Sequence, residues 1–170
     1  MTQQFKTACF TGHRPQSIPF LRDEKSEKSQ ALKKQIRAEV IRLIESENVT
    51  HFISGMALGT DQICAEIVLG LKEQYPHIAL ECAFPCKTQA VKWSEKSRER
   101  YFAIIYQADK KTMVQREYTY DCMMKRNIYM VDQSDFVIAV WNGSKSGTGN
   151  TVAYAKSKDK KIIQINPNEI

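Results

Sequence analysis

Three apolar runs in this chain each empty into a turn of small, polar and glycine residues, and that repeated transition restricts the fold more than any other feature. Ala8 to Phe10 leads into Thr11-Gly12-His13-Arg14-Pro15. His51 to Ile53 leads into Ser54-Gly55 and on to Gly59-Thr60-Asp61. Phe136 to Trp141 leads into Asn142-Gly143 and on through Gly147-Thr148-Gly149-Asn150-Thr151. Helical periodicity follows each turn, which marks βα units. Glycine permits a tight turn and a close ligand, and a helix opening just beyond points N–H groups and a positive dipole end outward. Several such turns on one parallel sheet converge at the carboxyl edge of its strands, where open α/β folds hold nucleotides and their relatives.

The rest of the pattern completes an α/β fold, a Rossmann-like three-layer sandwich with a mostly parallel sheet of about six strands and helices on both faces. Strands are predicted at Phe5 to Phe10, His51 to Ser54, Ala79 to Ala83, Lys111 to Gln115, Asp135 to Trp141 and Lys161 to Ile165. Helices are predicted at Ser29 to Glu47, Thr60 to Tyr75, Thr88 to Ala108, Asp121 to Ser134 and Gly149 to Lys158. In the first, Leu32, Ile36, Val40, Leu43 and Ile44 recur at spacings of three and four, which makes one apolar stripe. Gln16 to Lys28 reads as a polar, mobile loop. The 170 residues read as one domain, 1–170, with no repeat or linker.

Composition narrows the class. Cys9, Cys64, Cys82, Cys86 and Cys122 are odd in number, form no C-x-x-C pair and sit mostly in apolar stretches, so they read as reduced thiols used as small hydrophobes. No run reaches the roughly 18 apolar residues of a membrane span, and the polar start Met1-Thr2-Gln3-Gln4 does not resemble a signal peptide. A cytoplasmic protein with no membrane partner is therefore expected. The formal charge of +6 leaves nucleic acid open as a partner, although the basic residues are interspersed with acidic ones. No residues have metal-ligand spacing, and no cofactor is expected.

The turns carry the candidate chemistry. Arg14 suits phosphate or carboxylate, and His13 can donate a hydrogen bond or shuttle a proton. Ser54 and the N–H groups from Gly55 to Gly59 can line an anion cradle, while Thr60 and Asp61 cap the helix or, for Asp61, hold a ribose hydroxyl. No lysine follows Gly59, so this is not a Walker A loop, and the G-x-G-x-x-G fingerprint is absent too. In the third turn Lys145 suits a phosphate, and Thr148, Asn150 and Thr151 supply donors at a helix start. Trp141 and Asn142 stand where a base or ring would lie. Arg126-Asn127 is a polar pair on an otherwise apolar helix, facing either the site or water, and Trp93 with Tyr101 reads as packing.

Taken in order, Thr11-Gly12-His13-Arg14-Pro15, Ser54-Gly55 to Gly59-Thr60-Asp61, Arg126-Asn127 to Asp132 and Asp135, and Trp141-Asn142-Gly143 to Gly147-Thr148-Gly149-Asn150-Thr151 resemble the YpsA-like branch of the SLOG superfamily over nearly the whole chain. The resemblance implies a Rossmann-like fold, often a homodimer or higher homo-oligomer, whose glycine turns hold nucleotide-derived ligands. Relatives implied by it include the LOG phosphoribohydrolases, the DNA-binding DprA proteins and nucleotide-sensing domains. LOG enzymes carry a turn of the form P-G-G-x-G-T-x-x-E, and Thr151 stands here in place of that glutamate. A hydroxyl does not replace a carboxylate as general base or oxocarbenium stabiliser, which leaves Asp61 or Glu66 as substitutes.

Three functions follow as expectations. The first is binding, by sensing or sequestering, of a nucleotide-derived small molecule. The second is N-glycosidic hydrolysis of a nucleoside monophosphate, with His13, Asp61 or Glu66 as the catalytic candidates. The third, less favoured, is DprA-like binding of single-stranded DNA.

Overall fold

A computed structural model describes residues 4–170, so the start of the chain discussed above, Met1 to Gln3, lies outside the described residues. Six strands, β1 (Lys6–Gly12), β2 (Val49–Ser54), β3 (Ala79–Phe84), β4 (Lys110–Met113), β5 (Phe136–Val140) and β6 (Lys161–Ile165), form one sheet in the order β4-β3-β2-β1-β5-β6. Every pairing is parallel. Five helices connect them: α1 (Glu27–Glu47), α2 (Thr60–Leu71), α3 (Glu95–Gln107), α4 (Cys122–Asp132) and α5 (Gly147–Ser157). This is the expected Rossmann-like three-layer arrangement.

Side chains alternate along each strand, and the two faces bury different partners. Ala8 and Phe10, Phe52, Leu80 and Cys82, and Ile138 and Val140 form one core with the stripe of α1, with Ile63 and Val68 of α2 and with Ile104 of α3. Cys9, Ile53, Ala83 and Val137 face the other way onto Met130 and Val131 of α4 and Ala155 of α5. Small residues on α5 let it lie close to the sheet. All five cysteines are buried and unpaired, and burial pushes the Cys9 thiol up to about 12.

The boundaries differ from expectation where a local cap decides them. α1 starts at Glu27 because Ser26 accepts the Ser29 N–H (3.2 Å), and it ends on Asn48 in the left-handed region (φ 60). The segment read as a mobile loop instead carries a 3-10 turn, Pro19–Arg22, with Ile18 and Leu21 buried beneath it. The buried Ser29 hydroxyl holds that turn, lying 2.9 Å from the Phe20 carbonyl and 2.8 Å from that of Asp23. α3 starts seven residues later than its apolar pattern suggested, because Ser94 caps it; the Trp93 N–H bonds back to the Ala90 carbonyl in a turn before it.

The connections run outward from β1 through β2 and β3 to β4, then return to β5 on the other side of β1. Strand order therefore reverses between β1 and β5. In open α/β sheets a crevice forms outside the carboxyl ends of the strands at such a point.

Candidate functional site

A cleft of about 400 Å³ lies at that reversal. Four segments enclose it: Phe10 to Arg14 with Gln16 and Ser17 from the β1 turn, Ala57 and Asp61 from the β2 turn, Met123, Arg126 and Asn127 on α4, and Ser146, Gly147 and Thr148 at the start of α5. Of the residues singled out in the sequence, Gly12, His13, Arg14, Asp61, Arg126, Asn127, Gly147 and Thr148 line it together.

The first two turns are held to each other by close backbone approaches. A Cβ on Gly12 would lie 2.3 Å from Thr60 Cγ2, and Thr60 Oγ1 donates to the His13 carbonyl (2.8 Å). Gly59, at φ +88, lets Pro15 come within 2.8 Å of where its own Cβ would be. A Cβ on Gly55 would meet the Arg126 guanidinium at 2.7 Å, and Arg126 donates to the Gly55 carbonyl. These glycines make room for neighbouring protein groups. Ser54, read as part of an anion cradle, is fully buried: its hydroxyl donates to the Asp61 carbonyl (2.7 Å) and accepts the Met56 N–H (3.2 Å). Met56 itself sits at φ 61, a left-handed conformation uncommon for a residue that carries a Cβ, and so marks local strain in this turn.

Charge is distributed unevenly. Arg126 is 3% exposed; besides the Gly55 carbonyl its guanidinium meets Asn127 Oδ1 (2.9 Å) and Met123 Sδ (3.9 Å). Arg14 reaches the same Met123 sulfur from the exposed side (3.8 Å). Among the described residues no carboxylate lies within ion-pair distance of either guanidinium. Burial pulls the Arg126 guanidinium down from its ordinary range, against the nearby Asp61. Asp61 is 6% exposed, and one of its oxygens accepts the Ala57 N–H (3.2 Å) while the other, Oδ1, has no partner. Burial pushes its carboxyl up, opposed by Arg126, the Ala57 N–H and Arg14. The start of α5 adds its positive end to the cleft, with Ser146 accepting the Gly149 N–H (3.0 Å) as N-cap.

His13 is buried and spans the strand reversal. Its backbone N–H donates to the Val140 carbonyl, while its ring Nε2 lies 2.9 Å from Asn142 Oδ1 and 3.2 Å from the Asn142 backbone N–H. Asn127 links α4 to α5 by donating to Thr151 Oγ1 (3.0 Å), whose hydroxyl donates to the Gly147 carbonyl (3.0 Å).

Several expected residues lie elsewhere. Glu66 does not reach the cleft; it is ion-paired to Arg100 on α3, which also holds Glu24. Trp141 donates from Nε1 to the Ser144 carbonyl (2.8 Å) and packs under the β5–α5 loop beside Gly149. Asn142, Gly143, Gly149, Asn150 and Thr151 form that loop and first helical turn without lining the cleft, and Ser54, Gly55, Gly59 and Thr60 form its supporting wall. Trp93 and Tyr101 pack edge to face (5.3 Å), as expected of packing residues. Gln16, Ser17, Met123 and Ser146 line the cleft and were not anticipated. Only Ser146 had a sequence signal, a serine three residues before a glycine at a helix start.

The fold and this crevice define a parallel Rossmann-like protein with a cationic cleft at its strand reversal. Residues 8–170 match the family YpsA, described as the YspA SLOG family, and the chain belongs to it. It is 39% identical over 137 residues to the SPbeta prophage-derived protein YoqJ of Bacillus subtilis strain 168, covering 74% of this chain and 80% of that one. To the UPF0398 protein BH1768 of Halalkalibacterium halodurans it is 31% identical over 141 residues, covering 82% and 72%. Two solved structures of DNA processing protein A share the fold. That of Helicobacter pylori, described for its single-stranded DNA binding mode, has a TM-score of 0.60 at 16% identity, and that of Streptococcus pneumoniae 0.61 at 12%. The match covers 95% of this chain in both cases but only 65% and 50% of those longer proteins. No helix among the described residues is long and apolar enough to cross a membrane.

Proposed function

We propose that the cleft binds a nucleotide-derived small molecule, with its phosphate on Arg14, Arg126 and the start of α5 and a sugar hydroxyl on Asp61. The observation that carries this reading is the pair of guanidinium groups, one of them buried, that face one cleft with no carboxylate in ion-pair contact, Asp61 acting on them only at longer range. A buried cation with no anion in contact is costly, and a bound phosphate supplies that contact. The carboxylate oxygen of Asp61 that lacks a donor suits a hydroxyl, which a phosphosugar presents beside its phosphate. The volume falls within the roughly 300–1,000 Å³ of small-molecule sites. Family membership and the DprA-like fold agree with a nucleotide-related ligand.

Calorimetric titration with nucleoside monophosphates, ADP-ribose and cyclic nucleotides tests it. At least one is expected to bind, and Arg14→Ala, at an exposed position, is expected to weaken it by about tenfold or more while the fold is kept. No heat from any of them with folded protein overturns the reading.

A second reading is cleavage of the base–ribose bond, favoured by one observation: Asp61 is a buried carboxyl lining the cleft, and burial pushes it above the ordinary carboxylate range, the direction a general acid needs. Release of free base from a nucleoside monophosphate, abolished in Asp61→Asn with binding retained, would establish it.

A further inference from the structure

Asp61 and Gln62 are consecutive, and they hold the only two buried side-chain polar atoms among the described residues that lack a hydrogen-bond partner. Asp61 faces the cleft. Gln62, 1% exposed, lines a second cavity of about 540 Å³ on the other side of the wall made by Pro15 and Gly59. We propose that this second cavity is a binding site for a neutral ring carrying a cyclic amide, such as the lactam edge of a nucleobase, held through the Gln62 carboxamide.

The chemistry of the lining points to that class. Pro15, Leu21 and Leu58 give the cavity apolar walls, which suit the faces of a ring. Three of its charged groups answer one another, since Arg100 bonds both Glu24 and Glu66 and Glu24 also pairs with Lys33 (3.1 Å), while Lys96, without an ion pair among the described residues, is solvent-exposed. The cavity therefore has no buried unpaired cation of the kind found in the main cleft. What it lacks is a partner for one amide. Gln62 Nε2 offers a donor with nothing to accept it, and leaving a buried donor unpaired is destabilising. A lactam presents a carbonyl and an N–H side by side, so it pairs with a primary carboxamide at two points whichever way the amide is turned. A ring without the carbonyl forfeits the contact that Nε2 needs.

This site stands whether or not the main cleft holds a phosphate. Hypoxanthine and uracil, titrated into the full chain by calorimetry and saturation-transfer NMR, are the probes, with purine as the ring that lacks the carbonyl. Both lactams are expected to bind, and purine about tenfold more weakly. Gln62→Leu is expected to weaken hypoxanthine by a similar factor without lowering the melting temperature, because it removes an unpaired buried amide. Leu58→Trp, which fills the cavity, should weaken it too. Arg14→Ala should leave hypoxanthine unaffected, which separates this site from the main cleft. If inosine monophosphate is weakened by both Arg14→Ala and Gln62→Leu, the ring belongs to one nucleotide spanning the wall; if by Arg14→Ala alone, it belongs to a separate molecule. The proposal is overturned if neither lactam binds the folded wild type, if purine binds as well as hypoxanthine, or if Gln62→Leu lowers the melting temperature and leaves hypoxanthine affinity unchanged.

Discussion

Gly12, Gly55 and Gly59 are required by this protein's own side chains, since Thr60, the Arg126 guanidinium and Pro15 occupy the space a Cβ would need. The turn sequences were legible as tight turns open to close approach, but the approach expected of a ligand is made here by protein groups, which the sequence did not show because each arrives from a distant part of the chain. Arg126 illustrates this: nothing in its helix showed whether it faced the site or water, and only the docking of α4 over Gly55 decides. Gly147 differs, lining the cleft with nothing within 4 Å of an added Cβ. Gly55→Ala should therefore displace the guanidinium, cost about 1–3 kcal/mol in urea unfolding and weaken the cleft's ligand. Gly147→Ala should leave stability unchanged or raise it by up to about 1 kcal/mol, since alanine is the better helix former. Its added methyl group should still weaken a ligand seated at the start of α5. Loss of binding in both variants with loss of stability only in the first would separate wall from floor.

At the scale of elements, the strands and the order of helices were readable from periodicity, whereas their ends follow caps such as Ser26 and Ser94 that compete with apolar pattern. One inter-element contact was not readable at all. Glu81 on β3 is 1% exposed and accepts hydrogen bonds from Tyr129 of α4 (2.7 Å) and Thr112 of β4 (2.8 Å), with His51 Nε2 of β2 at 2.6 Å. Burial alone would push its carboxyl up, but these partners hold it at about 2, below the ordinary 4.5. A carboxyl depressed on folding contributes stability that is present above its unfolded value and lost as pH falls through its folded one. Urea-unfolding free energy should therefore decline from about pH 4.5 toward 2. Glu81→Gln should remove much of that decline while lowering stability near neutrality; an unchanged pH profile in this variant would show that Glu81 does not carry it.

For the whole molecule, the position of the cleft follows from connectivity: strand order reverses beside β1, and the turns predicted to converge do so there. That much was legible because parallel βα units permit few arrangements. The second cavity was not, since a glutamine on an apolar helix reads as exposed until α3 and the Pro19–Arg22 turn close over it. Net charge of +6 favours anions generally, so salt dependence is the discriminating measurement. Affinity for a nucleoside monophosphate, a small ion with no condensed counterions to release, should fall only shallowly with salt on a log–log plot. A slope several times larger, with single-stranded DNA bound more tightly than any mononucleotide, would favour the nucleic-acid reading suggested by the DprA-like fold.

β1 pairs on one flank with β2 and on the other with β5, which is synthesised far later. Until Phe136 to Val140 have left the ribosome, the central strand of the finished sheet is an outer one, its amides and carbonyls open to any passing chain. Nascent chains stalled before that point should be the aggregation-prone species of this protein, and chaperone dependence should end once β5 closes the gap.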